Sequence, residues 1–194
     1  MPELSSRSQH EKAIIGALLL QFEDIRARRQ PWPTVEANLA GALRPLLVDV
    51  FGDAAENLAA SRNAEIDQKR LDDRAGTYGE KQAAVIAKLI VDNTVETVAG
   101  GESTDNVLGI SRAEQIAASE TTRAITAGEA VIVAILLATM DIELVPIWHT
   151  EADGRVCPIC KPLHGKGEAV YRRVAPGPPA HPNCRCWLDY EVKA

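Results

Sequence analysis

Apolar residues recur every three or four positions through most of the first 140 residues, and after that the interval changes. In "HEKAIIGALLLQFEDIRARRQ" the residues Ile14, Leu18, Leu19 and Phe22 share one helical face, and the basic last turn suits the C-terminal end of a helix dipole. "QPWP" ends that pattern. Thr34 is then a candidate N-cap for a second helix through "VEANLAGALRPLLVDVFGDAAENLAAS", which Pro45 is expected to kink or divide. "RNAEIDQKRLDDRAGT" has few apolar anchors and reads equally as a linker or a solvated helix. A third helix fills "YGEKQAAVIAKLIVDNTVETVA" and stops at Gly100–Gly101, and "GGESTDNVLG" reads as a loop. Ser111, with Glu114 three positions on, has capping-box spacing and opens a fourth helix from about Arg112 to Met140, with Gly128 as a place for a bend.

From Asp141 the pattern is short and extended. "IELVPIWHT" reads as a strand that Pro146 confines to an edge or bulge. Asp153–Gly154 signals a hairpin turn, a second short strand leads into "VCPIC", and "CWLDYEV" reads as a closing strand. Between them, "KPLHGKGEAVYRRVAPGPPAHPN" is too rich in Pro and Gly to build a core of its own. The chain is therefore expected to be α+β: a helical region over residues 1–100, a loop and long helix over 101–140, and a small β/loop subdomain over 141–194. About fifty residues with so little to bury call for a staple.

Composition supports helices. Of 194 residues 46% are hydrophobic but only 4% aromatic, and alanine is abundant. The net charge of −6 argues against a general DNA-binding surface. The excess acid lies upstream: residues 1–140 hold 14 Lys+Arg against 20 Asp+Glu, and residues 141–194 hold 7 of each. "MPELSSRSQHEK" carries no signal-peptide pattern, and "AVIVAILLATM" is about half the length of a bilayer span. A soluble protein made in a reducing cytosol, without a membrane partner, is the expectation.

All four cysteines sit in this last segment. Cys157 and Cys160 form a CxxC knuckle, and His181, Cys184 and Cys186 follow in "HPNCRC". The spacing suits thiolates converging on one zinc ion, which takes four tetrahedral ligands. Cys157, Cys160 and His181 with either Cys184 or Cys186 make such a set, as do the four cysteines alone. Two disulfides conflict with a reducing compartment, and unrelated buried thiols would not fall in two tight clusters. Four protein ligands close a zinc site, so its role is structural, and neither an HExxH motif nor a clear general base accompanies it. Catalytic and organic-cofactor residues are accordingly expected to be absent. His149 and His164 lack the paired spacing and read as loop residues. Glu120 and Glu129 read as solvated or paired acids.

The order "IWHTEADGRVCPICKPLHG…PPAHPNCRCWL" resembles the C-terminal module of the MuF-type head morphogenesis proteins of tailed bacteriophages. The matching positions are Trp148, Thr150, Asp153, Arg155, Cys157, Cys160, Leu163, Gly165, Pro179, His181, Pro182, Asn183, Cys184, Arg185 and Cys186. "AASETTRAITAG", with Glu120 and Arg123, is similar to the family's preceding helix, so the resemblance spans about Ser111 to Leu188, with no motif matched upstream of Gly101. Pro178–Pro179 would stiffen the approach to His181, Arg185 reads equally as a partner of Asp153 or Glu120 and as an exposed charge, and Trp148 and Trp187 would cover the metal.

The resemblance implies a minor capsid protein of the virion, assembled in the host cytoplasm. Its expected partner is the portal protein, with major capsid or scaffolding protein as further contacts, in head assembly, DNA packaging or ejection. The alternative is a zinc-stapled module binding packaged DNA through Arg155, Lys161, Lys166, Arg172, Arg173 and Arg185, although the equal acid count weighs against it. A third class, a zinc hydrolase or a nuclease with His181 or His149 as base, needs an open metal position and a nearby carboxylate.

Overall fold

The computed structural model describes residues 4–27, 30–140, 143–151, 154 and 156–193. Four long helices form the body: α1 (Leu4–Arg26), α2 (Trp32–Ser61), α3 (Gln68–Ala99) and α5 (Ile110–Thr139), with a single-turn α4 (Asp105–Leu108) before the last. A three-stranded antiparallel sheet follows, in the order β2 (Lys166–Gly167), β1 (Leu144–His149), β3 (Trp187–Val192). A 3₁₀ turn (Lys161–Leu163) and a one-turn α6 (Glu168–Tyr171) flank β2. The α+β class expected from the sequence is the observed one.

The apolar stripes read from the sequence form the interior. Ile14, Leu18 and Phe22 of α1 pack with Leu39, Leu43 and Leu47 of α2 and with Ile86 and Ile90 of α3. Pro45 does not divide α2. It sits on the exposed side of the helix, as does Gly41, so the carbonyl it frees one turn back can bind water while the buried stripe runs on from Leu43 to Leu47. Thr34 is not the N-cap either. Pro31 takes that place and Pro33 lies in the first turn, where a fixed φ favours the helix and a missing N–H costs nothing.

The ambiguous polar stretch divides. Residues through Asp67 connect, and from Gln68 the chain is helical, with the Asp67 side chain accepting the Arg70 N–H at 3.1 Å. Leu71, Ala75 and Gly79 bury one face of that first half. At Gly79 a Cβ would lie 2.6 Å from Val48 Cγ2, and at Gly128 one would lie 2.2 Å from the Phe51 carbonyl oxygen. These two glycines let α3 and α5 close on α2, so Gly128 marks a close approach. The expected loop after Gly100 contains the single turn α4, and α5 starts at Ile110 after Gly109, which leaves Ser111 inside its first turn and not at the cap.

By length and composition α5 is apolar enough to cross a bilayer. Here it is the core helix, burying Ala117, Ile125, Ile132 and Leu136.

In the sheet, Leu188 and Tyr190 of β3 point inward and Asp189 and Glu191 outward, the period-two signature of a half-buried strand. β1 is central, yet β2 pairs only with Ile147 and Trp148, so at Pro146 the strand is paired on the β3 side alone and is locally an edge. The short strand expected before "VCPIC" is absent among the described residues: Val156 and Cys157 are irregular, and β2 forms later. Asp153, the expected turn residue, lies outside the described residues.

Candidate metal centre

The chain turns twice to build the centre. Cys157 to Cys160 is a tight turn, closed by the Lys161 N–H to the Cys157 carbonyl at 3.0 Å and by the Cys160 N–H to the Cys157 sulfur at 3.3 Å. His181 to Cys184 is the second, closed by the Cys184 N–H to the His181 carbonyl at 3.2 Å, with Asn183 in the left-handed region at φ 63°. Asparagine is among the residues that adopt this conformation most readily. The Pro178–Pro179 peptide leading into the second turn is cis.

All five candidate ligands meet. Cys157, Cys160 and His181 form one group and Cys160, Cys184 and Cys186 a second, each with its donor atoms within 4.8 Å of one another. Cys160 belongs to both. His181 Nε2 lies 2.9 Å from the Cys157 sulfur and 3.1 Å from that of Cys160, and the Cys160 and Cys184 sulfurs are 3.8 Å apart. Zinc–sulfur bonds of about 2.3 Å at the tetrahedral angle place two sulfurs about 3.8 Å apart, so the Cys160–Cys184 pair has the separation a shared ion needs. His181 Nδ1 lies 2.7 Å from the Pro182 carbonyl oxygen. A proton on Nδ1 is fixed by that contact and leaves the Nε2 lone pair facing the sulfurs, the usual outer-shell arrangement of a metal-binding histidine.

The electrostatics point the same way. The Cys184 thiol is pushed down to about 5, first by a hydrogen bond from Cys186 and then by the backbone N–H groups of Cys186 and Ala180 acting against burial. Burial, then the neighbouring Cys184 charge, pushes Cys160 up to about 12, and Cys186 is raised because its proton is held by Cys184. Three adjacent buried sulfurs therefore hold one negative charge among them on their own. A dication would let more of them ionise, and the cleft between the two turns has room for about 20 Å³, close to one ion or one water. These residues fit a structural zinc ion.

Helix α5 and the start of α1 hold the second turn through groups that the sequence did not single out. Ser119 accepts the Asn183 N–H at 2.7 Å, and the Thr122 hydroxyl donates to the Cys184 carbonyl at 2.7 Å. Buried Arg7 donates Nη2 to Thr122 Oγ1 at 2.7 Å and Nη1 to the Arg185 carbonyl at 3.3 Å. The signal available was the run of four consecutive polar residues Ser119–Thr122, all of them buried.

The neighbouring positions divide. Trp148 is fully buried against Cys160, Cys184, Cys186 and Tyr171, with Leu58 of α2 and Val133 of α5 packed on the same cluster, so the small module shares a core with the helices. Trp187 stacks on His149 at 5.7 Å instead. His149 and His164 meet edge to face at 5.2 Å, and neither belongs to the donor groups. The Thr150 N–H donates to His164 Nδ1 at 3.2 Å. Glu120 and Glu129 are not solvated. Both are buried, which raises each acid, although Glu120 is held by Gln82 at 2.7 Å and Arg123 at 3.3 Å. Asp153 and Arg155 lie outside the described residues.

A sequence profile of the family described as "Phage Mu protein F like protein" matches residues 54–189. The match extends the resemblance upstream, to include the last two turns of α2 and all of α3, where no motif stood out. No curated protein and no solved structure matches the chain significantly. The matched segment covers the two turns that carry the candidate ligands and the α5 residues that hold them, and the chain belongs to the Phage Mu protein F like family, the MuF-type head morphogenesis proteins of bacteriophages.

Proposed function

We propose that this protein is a minor head protein of a tailed bacteriophage that docks on the portal or the inner capsid surface and acts in head assembly, DNA packaging or ejection. The family match over residues 54–189 carries the reading. A head component of this family works through contacts with other head proteins, and the fold offers a helical body with a compact knuckle fixed to α5 and the start of α1. Zinc, when bound, supplies a cross-link between the two turns. Four of Cys157, Cys160, His181, Cys184 and Cys186 would provide its ligands, and Ser119, Thr122 and Arg7 hold the backbone that carries them.

The role is structural and not enzymatic. The donor atoms enclose about 20 Å³, room for one ion, and in the cavity of about 280 Å³ that borders His181 the lining acid, Glu120, is already held by Gln82 and Arg123 and so is not free to act as a base. Nucleic-acid binding has weaker support, because Arg172 of the basic set is tied to Glu168 and the local charge is balanced.

Co-expression with the neighbouring portal protein, followed by native mass spectrometry, tests the reading. One zinc per chain and a defined complex with portal or capsid protein are expected. A chain that holds zinc yet binds no head protein, while binding DNA with a steep salt dependence, overturns it.

A further inference from the structure

A second cavity, of about 340 Å³, lies between the C-terminal end of α2, the middle of α5 and β3. It is separate from the metal centre, and the proposed function makes no use of it. Its lining includes Arg62, Glu129, Trp187, Asp189 and Tyr190. Glu129 is 6% exposed, and its Oε2 is buried without a hydrogen-bond partner. A buried acceptor of this kind costs a few kcal/mol unless something fills its lone pairs. The other polar groups are already engaged in part. Arg62 Nη2 donates to the Tyr190 carbonyl, and Asp189 Oδ1 accepts its neighbour's N–H at 2.9 Å while its side chain stays at the exposed edge. The cavity thus has an unsatisfied acid inside, a second acid at the rim, and aromatic walls from Trp187 and Tyr190.

We infer that this cavity binds a primary ammonium group, with Glu129 as the inner acceptor and Asp189 as the outer one. An ammonium carries three donors on a compact head and can serve both carboxylates, and the aromatic walls suit the alkyl stem behind it. A guanidinium is a poorer fit, because Arg62 already takes the accessible backbone acceptor. A metal ion is a poorer fit too: among the described residues the groups of three or more close metal-ligating side chains are those of the cysteine centre. Two sources share the chemistry, a lysine side chain of another protein and a free alkylamine.

Glu129 is pushed up to about 8 by burial, against the opposing charge of the chain's N-terminal ammonium and with the Asp189 charge adding to the rise. It is therefore neutral at pH 7 in the free protein and must lose its proton when an ammonium arrives. Among the described residues, the charged and titratable groups that line the cavity with it are Arg62 from α2 and Asp189 and Tyr190 from β3. Binding at pH 7 should release about 0.9 proton, and affinity should rise roughly tenfold between pH 6 and pH 7 and level off above pH 8.

Calorimetry on the full chain tests this, in two buffers of different ionisation enthalpy, with n-butylammonium and with Nα-acetyl-lysine methylamide as probes. Saturable binding with proton release is expected, together with a loss of tenfold or more in Glu129→Gln and a smaller loss in Asp189→Asn. Tighter binding of the lysine probe identifies a protein side chain as the source, and tighter binding of butylammonium a free amine. Absence of saturable binding by both probes overturns the inference, as does unchanged affinity in Glu129→Gln. If that variant fails to fold, Glu129→Asp, which keeps the charge and shortens the reach, and Asp189→Asn take its place: unchanged affinity in both overturns the inference.

Discussion

Replacing Thr122 by valine keeps the shape of the side chain and removes one hydroxyl. That hydroxyl has two roles in a buried place: it accepts from Arg7 Nη2 and donates to the Cys184 carbonyl, each at 2.7 Å. In Thr122→Val the Arg7 guanidinium loses a charge-assisted bond, worth about 1.5–3 kcal/mol, and the Cys184 carbonyl loses its donor, at a cost of about 1–3 kcal/mol. Arg7 keeps Glu11 at 3.0 Å and the Arg185 carbonyl, so the lower part of the summed range applies, about 2.5–4 kcal/mol. In a protein of this size each kcal/mol moves the melting point by roughly 2–4 °C. The expected fall is therefore about 5–15 °C by circular dichroism. A double-mutant cycle of Arg7→Met with Thr122→Val should give a coupling of about 1–3 kcal/mol. Because the bond ends on a ligand residue's own backbone, zinc should also pass faster to a chromogenic chelator, whereas Thr122→Ser should behave nearly as wild type. A Thr122→Val protein with melting point and metal release unchanged would refute the view that α5 and α1 hold the knuckle.

Gly128→Ala should destabilise by about 1–3 kcal/mol or prevent folding, since its Cβ meets the Phe51 carbonyl oxygen at 2.2 Å; Gly16→Ala, with nothing within 4 Å in an exposed helix interior, should instead stabilise by about 0.5–1 kcal/mol in chemical denaturation. Burial raises the Glu129 carboxyl from its ordinary range to about 8, so folding takes up a proton there, and the wild type should lose roughly 3–5 kcal/mol relative to Glu129→Gln as pH rises from about 4.5 to 8, with a flat difference above. Paired melts across that range check the slope, and a difference that stays constant means that the acid is not buried uncharged. Cys160→Ser should abolish zinc binding measured by elemental analysis, because Cys160 belongs to both donor groups, while His149→Ala and His164→Ala should retain one ion per chain. Zinc lost in either histidine variant places that ring among the ligands.

Much of the helical body and the grouping of the candidate metal donors were legible in the residues alone, and the reason is that both are local. The three-to-four spacing of Ile14, Leu18 and Phe22 states which face is apolar, whatever that face later meets, and Gly100–Gly101 ends a helix because of its own backbone freedom. A CxxC and an HxxC chelate within a few residues, so their chemistry travels with the spacing. What the tertiary structure decided depends on distant partners. Pro45 is tolerated because its side of α2 faces solvent, and the polar start of α3 is helical because Leu71 and Ala75 find the α2–α5 surface. The caps expected at Thr34 and Ser111 gave way to helices that begin earlier, at Trp32 and Ile110. Arg7 and Thr122 are 115 positions apart, and no periodicity announces that they share a hydrogen bond. Glu129 carries the same symbol in a sequence whether it is solvated or enclosed. Only the packing of β3 across α5 removes it from water, and desolvation, not residue identity, sets its charge.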